Sequence, residues 1–292
     1  MSQFTPPVIN GLSVDVEAWF QVGAFEGVIP RSSWDALSDR VEQNVVRILD
    51  LFAACDVRGT FFTLGWVAER HGPLMRRIAD AGHELASHGW DHARVFTLGP
   101  AAFARDVERA RKVLEDASGV AIKGYRAPSF SIDQRSLWAY AVLAEQGYAY
   151  SSSVAPVAHD HYGWRQAPRF AFRPLAGSSL IELPVTTARF AGLRLAAGGG
   201  GFFRVLPYAF SRLAIRQVNS SEARPAVFYF HPWEIDPDQP RVADAPLRAR
   251  LRHYTNLDGM TPKLERLVQE FAWGRMDVLA QGEALRALEL AS

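Results

Sequence analysis

The chain has 292 residues, and its 32 lysines and arginines nearly balance 31 aspartates and glutamates. A content of 48% hydrophobic and 22% charged residues is ordinary for a globular protein with a sizeable core, in one large α/β domain or two smaller ones. The scattered basic residues argue against a nucleic-acid partner, the single cysteine excludes an internal disulfide, and no apolar run reaches the ~20 residues of a transmembrane helix.

Short apolar runs alternate with amphipathic segments along the first two thirds of the chain. The runs predict strands at 8–16, 59–63, 84–87, 121–125, 180–185 and 226–230. Apolar residues at helical spacing predict helices at 41–52, 66–81 with a break near Pro73, 101–117 and 134–146. Strand–helix alternation implies right-handed crossovers and a mainly parallel sheet.

The notable polar residues follow the carboxyl ends of these strands, where both β/α barrels and open doubly wound sheets bind ligands. No glycine-rich phosphate motif follows the first strand, so the pattern favours a distorted (β/α) barrel of seven or eight strands. Residues 235–292 show helical patterns and are expected to pack on the barrel as an appended segment. The tract Gly198–Gly201 is interpreted as a loop that approaches the active site closely, with a surface turn as the alternative.

Two motifs indicate metal chemistry. Asp15-Val-Glu17 places two carboxylates on one face of a strand end, and His88-Gly-Trp-Asp-His92 brings two imidazoles together if the segment forms a helical turn. Two histidines and one carboxylate are a ligand set of hydrolytic metal sites, and the second carboxylate stays free for proton transfer. Asp91 is an alternative ligand within the same segment.

Two further motifs follow later strands, Tyr125-Arg-Ala-Pro-Ser129 and Phe228-Tyr-Phe-His-Pro-Trp-Glu234. With these four motifs in order, the chain resembles the polysaccharide deacetylase family, the NodB-homology carbohydrate esterases. The opening Ser13-Val-Asp-Val-Glu-Ala-Trp-Phe20 and the tail motifs His231–Pro240 and Arg252–Asn256 resemble the branch associated with exosortase and exopolysaccharide gene clusters. The resemblance covers nearly the whole chain and implies one NodB-homology domain, with 235–292 as its extension.

The resemblance implies a role for each matching residue. The implied set is the general base Asp15, the metal ligands Glu17, His88 and His92, the base-positioning Arg126, the oxyanion-binding amide of Ser129, and the general acid His231. The metal would be a divalent cation, most often Zn²⁺, although Co²⁺ and Ni²⁺ suit two nitrogens and one oxygen as well. Trp90 and Trp233 are expected to contact the sugar, unless they belong to the core.

One departure from the family concerns the general acid. Many relatives carry an aspartate after the strand near 148–150 that orients the acid histidine, whereas this chain reads Ser151-Ser-Ser153. Glu182 or Asp236 is the candidate replacement. His83, His159 and His161 are expected to be ordinary loop or surface residues, with substrate contact as an alternative for the last two.

The expected function is removal of N-acetyl groups from an N-acetylhexosamine-containing glycan, or its precursor, in exopolysaccharide assembly. Two alternatives stay open: an amidohydrolase of small cyclic amides such as allantoin, because the Asp-x-Glu spacing is nearer to that branch, and a non-catalytic glycan-binding relative, because of Ser151. The N-terminal ten residues lack a basic start followed by an apolar run, so a cytoplasmic location is expected.

Overall fold

The computed structural model describes residues 8–158 and 163–289, so His159 and His161 lie outside the described residues. The strands are β1 Asn10–Val16, β2 Thr60–Thr63, β3 Glu84–Ser87, β4 Gly124–Tyr125, β5 Tyr150–Ser151, β6 Phe172–Arg173, β7 Ile181–Glu182, β8 Thr187–Phe190, β9 Leu193–Ala196, β10 Val227–Phe230, β11 Trp273–Gly274 and β12 Leu288–Glu289. The α-helices are α1 Val41–Ala54, α2 Gly65–Arg70, α3 Gly72–Asp80, α4 Val95–Leu98, α5 Pro100–Ser118, α6 Ala139–Glu145, α7 Gly200–Val205, α8 Tyr208–Arg216, α9 Leu247–Tyr254, α10 Met260–Glu270 and α11 Met276–Glu283.

A curled, mainly parallel sheet forms the framework of the described chain. Its strand order is β10-β1-β2-β3-β4-β5-β7-β6-β12, and β11 pairs with β1 from outside this path. The seven strands from β10 to β7 run parallel to one another, while β6 pairs antiparallel with β7. The expected distorted barrel of seven or eight strands is therefore confirmed, as a curled sheet rather than a regular cylinder.

The segments after β7 and β9 connect the two edges of the curled series. The Thr186 amide donates to the Val227 carbonyl at 3.1 Å, and the Val227 amide donates back to Thr186 Oγ1 at 2.6 Å. Further along, the Tyr229 amide donates to the Gly198 carbonyl at 2.8 Å. These bonds hold β10 beside the chain that follows β7, so the carboxyl ends of the strands surround one cavity.

β1 is a fully buried central strand that carries polar residues. Leu12, Val14 and Val16 belong to the main hydrophobic core, whereas Ser13 and Asp15 alternate with them and both accept from Arg126. Because side chains alternate across a strand, one face of β1 supplies the core and the other supplies the site.

Most predicted elements are confirmed, and the differences lie where strands are short. The break near Pro73 is real, because α2 and α3 meet at His71 with Pro73 in the first turn of α3. β4 and β7 are only two residues long, and the hairpin of β8 and β9 was not predicted. The segment from 235 onward is not purely helical, since β11 and β12 both join the sheet. No helix among the described residues is long and apolar enough to cross a membrane.

Candidate metal and proton-transfer site

The carboxyl ends of β1, β3, β4 and β10 bring the predicted polar residues to one cavity. Asp15 and Glu17 come from β1 and the turn after it, His88 directly follows β3, and His231 directly follows β10. The first three of these side chains are about 98% buried. The cavity has a volume of about 180 Å³ and is also lined by His92, Ser129, Arg204, Trp233, Glu234 and Arg252.

Asp15 is held by a buried ion pair with Arg126. Arg126 Nη1 lies 2.6 Å from Asp15 Oδ1 and donates also to Ser13 Oγ at 2.8 Å. The other guanidinium nitrogens donate to the carbonyl and hydroxyl of Ser152. Because Arg126 has no exposed surface and is bonded on all sides, it fixes the position of the Asp15 carboxylate. The predicted positioning role of Arg126 therefore has a geometric basis.

Glu17, His88 and His92 converge on one point. A ligand atom from each lies within 4.8 Å of the other two. Glu17 Oε2 is 2.8 Å from His92 Nε2 and 4.0 Å from His88 Nε2. Zinc bonds of about 2.0–2.1 Å at tetrahedral angles separate two ligand atoms by roughly 3.4 Å, which lies between these distances.

The donor atoms of this cluster suit a divalent cation. Glu17 Oε2 is fully buried, and its nearest polar neighbour among the described residues is His92 Nε2, at 2.8 Å. The Arg126 carbonyl accepts from His88 Nδ1 at 2.9 Å, so the lone pair of His88 is on Nε2, toward Glu17. The three residues therefore fit a metal, and Asp91 does not belong to the cluster because it pairs with Arg31.

The electrostatics of the cluster agree with ligand chemistry. Burial lowers the pKa of His88 to about 4, which keeps its imidazole neutral at pH 7. Burial alone would raise the pKa of Glu17, but the charges of His92 and His231 outweigh it and lower that pKa to about 2. A neutral imidazole and an ionised carboxylate are the forms that bind a metal.

The histidine segment is not the helical turn that the spacing suggested. Residues 88–94 form a bend between β3 and α4. Gly89 and His92 adopt left-handed φ angles of +78° and +65°, and this reversal turns His92 back toward Glu17. The prediction that His88 and His92 come together is therefore confirmed, but the predicted helical turn is wrong. A bend with two left-handed residues brings the two imidazoles together instead.

His231 is held by a carboxylate that the sequence analysis did not identify. Glu234 Oε2 lies 3.1 Å from His231 Nδ1, and Glu234 Oε1 accepts from Arg204 Nε at 2.8 Å. Burial alone would lower the pKa of His231, but Glu17 and Glu234 raise it to about 9. Burial would raise the pKa of Glu234, yet Arg204 and His231 lower it to about 2. His231 is therefore cationic and Glu234 ionised at neutral pH.

Neither Glu182 nor Asp236 orients His231, so both candidates were wrong. Glu182 Oε1 accepts from the amides of Ser153 and Val154, which uses it to brace the serine segment. Asp236 is bound by Arg40 and Asn44. The signal that could have found Glu234 is its spacing, three residues after His231 across Pro232, which predicts a reciprocal turn contact.

The expected sugar-contacting tryptophans are packed differently. Trp90 does not line the cavity; it is 6% exposed, lies against Gly65, and is covered by the Arg109 guanidinium. Trp233 lines the cavity, but its ring stacks with the imidazole of His231, at a centroid distance of 4.9 Å, and with that of His253, at 4.1 Å. Its indole nitrogen donates to Glu17 Oε1 at 3.2 Å. Trp233 therefore supports two site residues, His231 and Glu17.

Ser129 lies in the cavity wall with a backbone N–H that other described residues do not use. It lines the cavity in a left-handed conformation, with φ of +54°. Within residues 8–158 and 163–289, its backbone N–H donates to no acceptor. The left-handed turn leaves this donor available to a ligand, in agreement with the predicted role.

The glycine tract approaches the site as expected, although Gly200 and Gly201 begin α7 and only Gly198 and Gly199 belong to the loop before it. A Cβ at Gly200 would lie 2.0 Å from Glu234 Oε2, and one at Gly198 would lie 2.4 Å from the Val227 carbonyl oxygen. Gly201 lines the cavity. The absence of side chains therefore lets α7 pack directly on Glu234.

Family models match two consecutive parts of the chain: "Polysaccharide deacetylase" at residues 32–150 and "Domain of unknown function (DUF3473)" at 152–281. The chain is similar to the "Peptidoglycan deacetylase" of Helicobacter pylori, at 26% identity over 50% of this chain and 49% of that protein. It thus spans about half the length of that relative.

Solved structures share the fold. A putative polysaccharide deacetylase from Mycobacterium smegmatis superposes with a TM-score of 0.67 at 20% identity, covering 100% of this chain and 96% of that one. PuuE allantoinase superposes with a TM-score of 0.61 at 14% identity, covering 97% of this chain and 95% of the allantoinase chain. These likenesses show the fold alone. The two family-model matches, which together cover residues 32–150 and 152–281, and the ordered motifs show that the chain belongs to the polysaccharide deacetylase family, in the branch that carries the DUF3473 domain.

Proposed function

We propose that the protein is a metal-dependent N-deacetylase. Its proposed substrate is an N-acetylhexosamine unit of a glycan, or of a glycan precursor, in exopolysaccharide biosynthesis. The observation that carries this proposal is the joining, in one cavity, of a fixed carboxylate, a His–His–Glu cluster and a cationic imidazole. The family membership and the name of the peptidoglycan deacetylase relative support the reaction class.

Asp15 is suited to the role of general base. Its carboxylate pairs with Arg126, and it lies beside the cluster of Glu17, His88 and His92 without belonging to it. An attacking water that bonds to the acetyl carbon must lose a proton, and Asp15 is the carboxylate that takes it. Arg126 limits the motion of this carboxylate, because the guanidinium is bonded to Ser13 and Ser152 as well.

Glu17, His88 and His92 would hold the divalent cation, with zinc as the best match to two nitrogens and one oxygen and cobalt or nickel as alternatives. When bound, such a cation polarises the acetyl carbonyl and lowers the pKa of a bound water from 15.7 to about 7. The backbone N–H of Ser129 is placed to share the negative charge that develops on the carbonyl oxygen.

His231 is suited to the role of general acid. Its pKa near 9 keeps it protonated at neutral pH, and the bond from Nδ1 to Glu234 leaves Nε2 on the side of Glu17. Cleavage of the amide C–N bond leaves an amine that needs a proton, which His231 Nε2 can donate. Asp15 would thus serve as the base and His231 as the acid in the same cavity.

Acetate release from N-acetylglucosamine oligomers, measured with zinc-loaded protein, tests the proposal. We expect Asp15→Asn to lower kcat by about 100- to 10,000-fold while zinc binding is kept. His88→Ala should remove both zinc binding and acetate release, because two ligands remain. The two variants thus separate loss of the base from loss of the metal.

Allantoin serves as the control substrate, since an allantoinase shares the fold. Ring opening of allantoin at a higher kcat/KM than acetate release would contradict the proposal. Acetate release by His88→Ala protein after treatment with a chelator would contradict the metal dependence.

A further inference from the structure

The helix α9 carries its apolar residues on the solvent side. Leu247 and Leu251 are 67% and 58% exposed, although leucines four residues apart on a surface helix normally face the core. On the opposite side of the same helix, His253 is 2% exposed and stacks on Trp233. The orientation of α9 is therefore fixed by the active site, and its leucine pair is directed outward.

Arginines flank this leucine pair. At 100° per residue, Arg248 and Arg250 lie on either side of Leu247 and Leu251, and both are exposed. Residues 241–252 contain four arginines and a single carboxylate, that of Asp244. An apolar ridge between guanidinium groups is the pattern of a helix that lies in the interface of an anionic bilayer, with leucines in the acyl region and arginines at the phosphates.

A second exposed apolar pair lies on α7, beside α9. Phe202 and Val205 are 41% and 54% exposed. Between them, the buried Arg204 donates to the carbonyls of Arg252 and Thr255 at 3.0 and 2.6 Å, which fastens α7 to the end of α9. The exposed residues of the two helices, Phe202, Val205, Leu247, Arg248, Arg250 and Leu251, are called the α7–α9 surface below.

The α7–α9 surface borders the mouth of the catalytic cavity. Gly201 of α7 and Arg252 of α9 both line that cavity. A membrane bound to this surface would therefore lie beside the entrance of the cavity. A bilayer with anionic headgroups matches both the apolar ridge and the exposed arginines beside it.

We propose that the α7–α9 surface docks the protein peripherally on an anionic lipid bilayer and holds the catalytic cavity at the membrane plane. The docking is independent of the proposed deacetylase activity, because none of the six residues takes part in the chemistry. It directs the site toward glycans attached to, or assembled at, a membrane.

Co-sedimentation with vesicles tests the docking without any enzyme assay. The full chain should bind vesicles of phosphatidylcholine with about 30% phosphatidylglycerol and leave vesicles of phosphatidylcholine alone. Binding should weaken at high salt, since screening reduces the attraction of the arginines. Leu247→Glu with Leu251→Glu should reduce binding by about tenfold or more.

Matched variants elsewhere on the surface identify the face. Leu213→Glu on α8 replaces a leucine with a similar exposure of 58% and should bind as the unchanged chain does. Arg250→Glu should weaken binding, whereas Arg76→Glu, at an exposed arginine of α3, should weaken it less.

Three results would overturn the proposal. The first is that the unchanged chain does not bind the anionic vesicles. The second is that the Leu213 variant loses as much vesicle binding as the Leu247/Leu251 variant. The third is a dimer in solution that the Leu247/Leu251 substitutions dissociate. The last result would assign the surface to a second copy of the chain. Thermal unfolding of each variant is the control for folding. We expect cooperative unfolding in all of them, because the substituted positions are exposed.

Discussion

Glu234 is the residue whose role is clearest from contacts and least visible in the sequence. It accepts from the backbone amide of His231 at 3.0 Å, lies 3.1 Å from His231 Nδ1, and is itself held by Arg204. Glu234 thus supplies to His231 the carboxylate contact that the serine at position 151 cannot provide. In the proposed reaction, Glu234 would be a positioning residue for the general acid.

Replacement of this carboxylate should affect turnover more than binding. Glu234→Gln removes the charge that orients His231, and we expect kcat to fall by about 10- to 100-fold with a smaller change in KM. Glu234→Asp should recover part of the loss. Steady-state acetate release with zinc-loaded protein measures both constants.

Asp236→Asn is the matched control, because Asp236 is equally buried but binds Arg40 and Asn44. We expect this control to reduce stability and leave kcat nearly unchanged. Equal losses of kcat in the two variants would show that Glu234 acts only through stability.

The residues predictable from the sequence are those that lie in the last residues of a strand or directly after it. Asp15, His88, Arg126 and His231 meet because the carboxyl ends of neighbouring parallel strands share one edge. Glu234 was missed because its contact arises in the turn after the strand. The stacking of Trp233 with His253 was also missed, because His253 lies twenty positions later and its location follows from tertiary packing.

At the scale of the element, the packing of α7 on Glu234 depends on a glycine at position 200. A Cβ at Gly200 would meet Glu234 Oε2 at 2.0 Å, whereas a Cβ at Gly201 meets nothing within 4 Å. The two adjacent glycines of one helix therefore differ sharply in the space around them.

Alanine substitutions should reveal this difference. Gly200→Ala forces Glu234 or α7 to move, and we expect a loss of about 1–3 kcal/mol in the free energy of unfolding together with a lower kcat. Gly201→Ala should keep or raise stability, because alanine favours a helix more than glycine does by up to about 1 kcal/mol. Chemical unfolding compares the two, and equal stabilities would contradict the close approach.

Element boundaries were predictable where a strand or helix is long and periodic. The residues Val41, Val45, Ile48, Leu49 and Phe52 of α1 are all buried, as their spacing predicted. β5, β6 and β12 have two residues each, too few for any alternation of polar and apolar residues to identify them. A cytoplasmic location and the boundary of the 235–292 extension stay predictions.

At the scale of the whole molecule, a buried acid at the amino end of β3 makes stability depend on pH. Burial, with the nearby charge of Asp277, raises the pKa of Glu84 to about 7, although Thr60 and Tyr150 donate to its carboxyl group. Its contribution to stability is complete below the unfolded-state pKa of 4.5 and is lost as the pH rises to about 7.

Glu84→Gln should remove this dependence. We expect the variant to gain stability relative to the unchanged chain between pH 5 and pH 8, by up to roughly 3 kcal/mol. Denaturant unfolding of metal-free protein at the two pH values measures the gain. A difference between the two proteins that stays constant with pH would contradict the raised pKa.

The border between the two matched regions, near residue 151, runs through the catalytic cavity. His88, His92 and Arg126 lie before it, Arg204, His231 and Glu234 lie after it, and Asp15 and Glu17 precede both regions. Neither matched region contains the whole site. A fragment of residues 32–150 would keep His88 and His92 but would lack both Glu17 and His231.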